Sequence, residues 1–170
     1  MPGTLTGTLS LGVDILDSRV VAAESVKSQI GPRSFQWVVA PGTGVGLADL
    51  KWTSLARALA ASANEDHDLA GALLDAFGVA VVFAKLKALY VFNTTALGGN
   101  RIRVGRGAAN GVPWISAVSA GVDIGPQSGF GWFDQVGITV TPATGDLINV
   151  LNTAGVTGVT YDIIIAGSSV

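Results

Sequence analysis

The sequence contains no cysteine and only one histidine among its 170 residues. The absence of cysteine excludes disulfides, thiolate metal sites and cysteine nucleophiles together. Charged residues are also scarce, at 13% against roughly a quarter in an average globular protein. The net charge of -2 gives no bulk attraction to nucleic acid or to anionic lipid. We therefore expect stability to come from packing, strand pairing or assembly.

The sequence also lacks a long apolar run. The longest candidate for a membrane span, residues 76–84, has about half the length that a spanning helix needs. The first residues lack the basic start and apolar middle of a signal peptide, and Asp14 and Asp17 interrupt them early. We therefore expect synthesis in a cytoplasm and no membrane partner.

What the sequence has in quantity is apolar residues, at 49%, and 23 glycines. A chain of this length buries about 70% of its unfolded surface in one core. We therefore expect one domain over residues 1–170. Abundant valine, isoleucine and threonine favour strands, and the glycines supply short turns.

Strand patterns recur along the chain. Residues 5–13 alternate apolar and polar side chains, as expected of a half-buried strand. Further predicted strands cover residues 34–40, 79–93, 101–104, 122–124, 137–141, 147–151 and 159–166. Turn signals between them every eight to twelve residues or so predict an all-β, antiparallel sandwich or barrel. The apolar run at residues 159–167 predicts a central, paired strand close to the C-terminus.

One segment, residues 47–61, fits two structures. Its sequence LADLKWTSLARALAA places leucines and alanines at helical spacing and has good helix propensity. One short helix and a strand both remain open here.

The chain's only histidine lies in an acidic cluster, Glu65, Asp66, His67 and Asp68. Such a cluster is a candidate metal site or acid/base pair if its side chains converge. Neighbours on a strand point to opposite faces, so convergence would require a loop, and the spacing of an EF-hand loop is absent. We favour a solvated turn in which Asp68 or Asp75 caps backbone amides; cation binding stays open.

Other catalytic patterns are missing. One histidine without a G-x-S-x-G motif does not make a serine triad, and catalytic zinc needs three ligands. The glycine-rich segment at residues 42–46 lacks the lysine and the hydroxyl residue of a phosphate-binding loop. We therefore expect a protein that is not an enzyme, with no catalytic residue, metal or cofactor.

Aromatic and basic residues offer candidate binding surfaces. Four tryptophans occur, Trp37, Trp52, Trp114 and Trp132. Phe130, Trp132 and Phe133 are close enough to stack on a sugar ring, although core filling or an interface is commoner for such residues. Arg101 and Arg103 fall on one face of a predicted strand, which is typical of a solvated or subunit-facing edge.

Several motifs occur in an order seen in one group of proteins. These are LARALAASANEDHDLAGALLDAFG, VVFAKLKALYVFN, RIRVGRGAAN, VDIGP, DLINVLN and VTYDIIIAGSS. In this order the chain resembles small virion structural proteins of tailed bacteriophages, from about Leu55 onward. The resemblance implies a jelly-roll-like β protein without catalytic residues, and it assigns no site residues.

The favoured hypothesis is a phage capsid decoration, or cement, protein on the outer head surface. It would assemble as a homo-oligomer, a trimer, and bind the major capsid protein but no nucleic acid. Residues 5–13 would form an arm or outer strand. The candidate interface residues are Trp52, Arg101, Arg103, Trp114 and Trp132. Two alternatives are a tail or fibre module that binds glycans through Phe130, Trp132 and Phe133, and a tail-tube or other tail structural subunit.

Overall fold

A computed structural model describes the backbone of residues 5, 7–21, 24–71 and 73–170. Side chains are described for residues 5, 8, 36–71 and 73–170. The described residues are all-β and contain no helix. The strands are β1 Gly7–Val21, β2 Glu24–Pro41, β3 Leu47–Ala48, β4 Leu50–Leu59, β5 Asn64–Asp68, β6 Leu73–Leu74, β7 Ala80–Val81, β8 Lys85–Asn93, β9 Ile102–Arg106, β10 Gly121–Ile124, β11 Ser128–Thr139, β12 Leu147–Asn152 and β13 Val159–Ser168.

Two four-stranded antiparallel sheets form the body. Sheet I has the strand order β11-β8-β13-β4, and sheet II has the order β10-β9-β12-β5. Taken in chain order, the eight strands are distributed between the sheets as in a jelly roll, with two interleaved Greek keys. The predicted antiparallel β-sandwich of jelly-roll type is confirmed.

The core lies between the two sheets. Every second residue of β13 faces inward, and Tyr161, Ile163 and Ile165 are fully buried. Ile148 and Val150 of β12 meet them from the opposite sheet. Each such aliphatic side chain stabilises the fold by roughly 1.5–3 kcal/mol on burial. β13 pairs with both β4 and β8, which confirms the predicted central strand near the C-terminus.

Residues 47–61 form strands and not a helix. β4 pairs along its length with β13, and this pairing overrides the helix propensity of the leucines and alanines. Trp52 and Leu59 both face the core although they are an odd number of residues apart, because β4 contains one bulge between them. At the bulge Ala56 adopts a left-handed φ of 52°, and its amide donates to Asp162 Oδ1 over 2.7 Å. The short helix that the sequence left open is therefore absent from these residues, and β4 is the edge strand of sheet I.

Several predicted strand limits also shift. The predicted strand at residues 79–93 divides into β7 and the central strand β8, with residues 82–84 between them. The strand predicted at residues 137–141 is the end of the longer β11, which begins at Ser128 and contains Phe130, Trp132 and Phe133.

The N-terminal strands β1 and β2 form a long antiparallel hairpin. Their register runs from Gly7 opposite Val39 to Val21 opposite Glu24, with one shift between Val13 and Ile15. At about 3.3 Å per residue, β1 alone extends for about 50 Å. The expected arm or outer strand at residues 5–13 thus falls mainly in β1, while the side chains of residues 9–35 lie outside the described residues.

The base of this hairpin packs on the outer face of sheet I. Trp37 and Val39 of β2 are buried there against Ala88 and Phe133. The rings of Trp37 and Phe133 stack with centroids 6.5 Å apart, and Trp37 Nε1 donates to Gly46 O over 2.9 Å. The hairpin is therefore anchored through β2 by apolar packing and a hydrogen bond.

Candidate functional site

The acidic cluster forms strand β5 and not a solvated turn. The alternation of the strand turns Asn64 and Asp66 outward and buries His67, so the four consecutive residues do not converge. Asn149 Nδ2 on the neighbouring strand β12 donates to Asp66 Oδ1 over 2.7 Å. The turn prediction is wrong because pairing with β12 accommodates polar residues that are usually depleted in strands.

The inward side chains of β5 belong to a polar network inside the sandwich. Tyr161 donates its hydroxyl to Glu65 Oε2 over 2.7 Å, and its oxygen lies 2.9 Å from His67 Nε2. Because the single hydroxyl proton of Tyr161 goes to Glu65, His67 Nε2 must carry a proton and donate it. Arg57 on β4 donates to both carboxylate oxygens of Glu65. Three strands thus meet through one continuous chain of hydrogen bonds.

Burial sets the protonation of this network. It lowers the pKa of His67 to about 4, since desolvation outweighs the attraction of Glu65. Burial also raises the pKa of the Tyr161 hydroxyl. For Glu65, burial alone would raise the pKa, but hydrogen bonds from Arg57 and Tyr161 outweigh it and lower the pKa. At neutral pH the network therefore contains a neutral imidazole and an Arg57–Glu65 ion pair.

The geometry of the network is that of a structural element. His67 is only 2% exposed, and the ring of Trp52 covers it with centroids 5.2 Å apart. The His67 imidazole is therefore shielded from solvent. Within the part of the chain that the structure describes, no three acidic or histidine side chains are grouped as a metal would require.

Two acids cap backbone amides, as the sequence predicted. Asp68 Oδ1 accepts from Ala70 N over 2.8 Å. Asp75 Oδ1 accepts from the amides of Phe77 and Val79 over 2.8 and 2.9 Å. Asp75 therefore fixes the turn of the small β6–β7 hairpin.

A buried lysine was missed by the sequence analysis. Lys87 lies on β8 under the hairpin base, and its Nζ donates to the carbonyls of Thr43, Gly44 and Leu47 over 3.1, 2.6 and 2.6 Å. Burial lowers the pKa of Lys87. The glycine-rich segment at residues 42–46 is thus a connection held by an ammonium group. The alternation of polar and apolar residues in β8 did not indicate that Lys87 is buried, because the outer face of β8 is covered only when the hairpin packs on it.

The three aromatic residues of the predicted glycan site are divided between two faces of β11. Phe130 and Trp132 face the interior at the edge of sheet I and are half-buried against Trp114, with centroids 5.9 and 6.2 Å apart. Phe133 faces the other side and contacts Trp37. A sugar at this edge could contact Phe130 and Trp132 together, whereas Phe133 is separated from them.

The candidate interface residues differ in accessibility. Trp52 and Trp114 are buried in the core, with 6% and 8% of their surface exposed. The prediction that they are surface contacts is therefore wrong, and they stabilise the fold by packing. Trp52 Nε1 donates to Leu74 O over 3.0 Å. Arg101 is exposed, and Arg103 forms a cross-strand ion pair with Asp123 on the outer face of sheet II. Arg101, Arg103 and half-exposed Trp132 remain accessible to a partner.

No known protein-family model matches the sequence, and no curated protein matches it either. Among the described residues, none forms a helix long and apolar enough to cross a membrane.

Proposed function

We propose that this chain is a virion structural protein of a tailed bacteriophage, and specifically a capsid decoration protein. In this proposal it binds the outer surface of the head as a homo-oligomer, a trimer, with the major capsid protein as its partner. The residue patterns from Leu55 onward support the phage assignment by resemblance. The jelly-roll body is compatible with it, although this fold serves many functions.

The observation that carries the proposal is the β1–β2 hairpin on the jelly-roll body. Its base is anchored on sheet I by Trp37 and Val39, while its strands have a length of about 50 Å at the usual rise. A two-stranded hairpin alone is only marginally stable in water. Such a hairpin gains stability when it lies against a further surface, as an arm between neighbouring capsomers would.

The low charge and apolar composition support the same proposal. A cement protein acts through summed apolar contact and edge-strand pairing, and it needs no reaction chemistry. Many copies on one shell make weak individual contacts collectively strong. The exposed Arg101 and the Arg103–Asp123 pair supply polar groups for the rim of such a contact.

Binding to heads tests the proposal. Full-length chain is mixed with expanded and unexpanded heads of the phage that encodes it, and co-sedimentation is measured against chain concentration. The expected result is saturable binding to expanded heads at a fixed ratio to the major capsid protein. Absence of binding to either form would overturn the proposal. Density for the chain in an intact particle would then show whether the hairpin crosses between capsomers.

A glycan-binding module of a tail or fibre is the second candidate. It is favoured by the half-buried pair Phe130 and Trp132 and by Trp114 Nε1, which has no hydrogen-bond partner among the described residues. In that case the chain binds host envelopes, and Trp132→Ala abolishes the binding while Tyr90→Ala does not. A tail-tube subunit, the third candidate, would instead form isolated rings or polymers without heads.

A further inference from the structure

The small hairpin between β5 and β8 presents apolar side chains to solvent. Phe77 at its turn is 90% exposed. Leu74, Val79 and Val82 beside it are also exposed, and we call these four residues the apolar knob. A contiguous apolar patch on a protein surface often marks an interaction site.

The knob is held in one conformation before any partner arrives. Asp75 accepts hydrogen bonds from the amides of Phe77 and Val79, and its own amide donates to Val79 O over 2.8 Å. Gly78 completes the turn with a left-handed φ of 78°. Because the turn is already ordered, a contact through Phe77 costs little conformational entropy.

An apolar groove lies at the other end of β4. It has a volume of about 620 Å³ and is lined by Ala58, Leu59, Ala60, residues 95–96 and residues 158–160. The lining contains no charged residue, and its small side chains leave space for a large one. Trp52, which bonds to Leu74 at the knob, and Leu59 at the groove are separated by roughly 20 Å along the strand.

We propose that the apolar knob of one copy occupies the apolar groove of a second copy of this chain. This contact rests on the homo-oligomer of the proposed function and names the residues that form it. The exposed side chains of the knob match the groove in chemistry, since they are apolar and the groove lining is uncharged. The Asp75 carboxylate in the turn is occupied by the amides of Phe77 and Val79. A sugar or a charged peptide would find few polar partners in the groove. Exposed Leu55 lies on β4 between the two features.

The geometry of the contact determines the assembly. Knob and groove are different surfaces of one chain, so the contact is head-to-tail and generates a ring when its rotation closes. A buried phenylalanine contributes about 150–250 Å², whereas a standard interface buries about 800 Å² per partner. The knob therefore supplies only part of such an interface.

Cysteine cross-linking tests the contact directly, because the chain contains no cysteine of its own. The full-length variant Val79→Cys/Ala96→Cys keeps Phe77 and places one thiol at the knob and one at the groove. A disulfide within one chain is excluded if the two Cα atoms remain much more than 7 Å apart, as the separation along β4 implies. Mild oxidation should give a ladder of linked chains that ends at the ring size.

Matched variants separate the outcomes. Val79→Cys alone and Ala96→Cys alone should remain unlinked, and adding Phe77→Asp to the double variant should remove the ladder. Val118→Asp, also at an exposed apolar residue, should leave it unchanged. Linking by Val79→Cys alone would indicate a knob-to-knob contact and overturn the proposal, as would the absence of a ladder. If heads still bind the chain without a ladder, only this contact fails; a ladder without head binding overturns only the proposed function.

Discussion

At the scale of single residues, the buried network of Arg57, Glu65, His67 and Tyr161 combines stability with sensitivity to pH. Its members come from β4, β5 and β13, so each hydrogen bond joins different strands. A buried polar network stabilises a fold only while each of its groups keeps its hydrogen-bond partner. Changes at this network should therefore appear in the free energy of unfolding.

Acidification should destabilise the protein through His67. The pKa of His67 is about 4 in the folded state and about 6.5 when unfolded, so between these values the unfolded chain binds a proton that the folded chain does not. Stability should fall as the pH falls through this window, by a total of about 3 kcal/mol. The lowered pKa of Glu65 acts in the same direction at still lower pH. Urea unfolding at pH 7 and pH 4.5 measures the effect, and His67→Gln should reduce it; equal stability at both pH values would contradict the assignment.

The Tyr161 hydroxyl should be important for stability. Tyr161→Phe leaves the His67 Nε2 proton without its acceptor and removes one donor to Glu65, at a cost of about 1–3 kcal/mol. The only other tyrosine, Tyr90, is partly exposed and supplies a matched control. Tyr90→Phe should change the free energy of unfolding by less than about 0.5 kcal/mol. Equal effects of the two substitutions in urea titrations would argue against a structural role for the network.

At the scale of elements, the residue patterns predicted the strands of the sheets but did not predict the polar contacts between strands. Period-two alternation and glycine-rich turns are local signals, and they predict the sandwich and its central strand β13. The strand β5 was missed because its acidic residues are stabilised by partners far along the chain, such as Asn149 for Asp66. The contact between His67 and Tyr161 joins residues 94 positions apart, and no local pattern encodes it.

Lys87 should couple the glycine-rich connection to the hairpin base. Lys87→Met keeps much of the side-chain volume but removes the ammonium donor to three carbonyls of residues 43–47. Gly44 O still accepts from the Leu47 amide, whereas the carbonyls of Thr43 and Leu47 lose the lysine. Each buried carbonyl left unpaired costs about 1–3 kcal/mol, so the connection should open more often. Hydrogen exchange of the Trp37 indole, which donates to Gly46 O, should accelerate. Lys85→Met on the same strand is the control, and unchanged exchange in Lys87→Met would show that the connection is held by other contacts.

At the scale of the whole molecule, a chain with exposed apolar surface should depend on its neighbours for stability. If the folded chain self-associates through the apolar knob, raising its concentration favours the folded state by mass action. The melting temperature should therefore rise with each tenfold increase in concentration. Phe77→Asp should make it independent of concentration, because a charge in the apolar groove is desolvated without a partner. In the control Val118→Asp, the melting temperature should still rise with concentration. Calorimetry over the concentration series measures the wild type and both variants. A wild-type melting temperature that does not change with concentration would mean that the jelly roll and its hairpin are stable as a monomer.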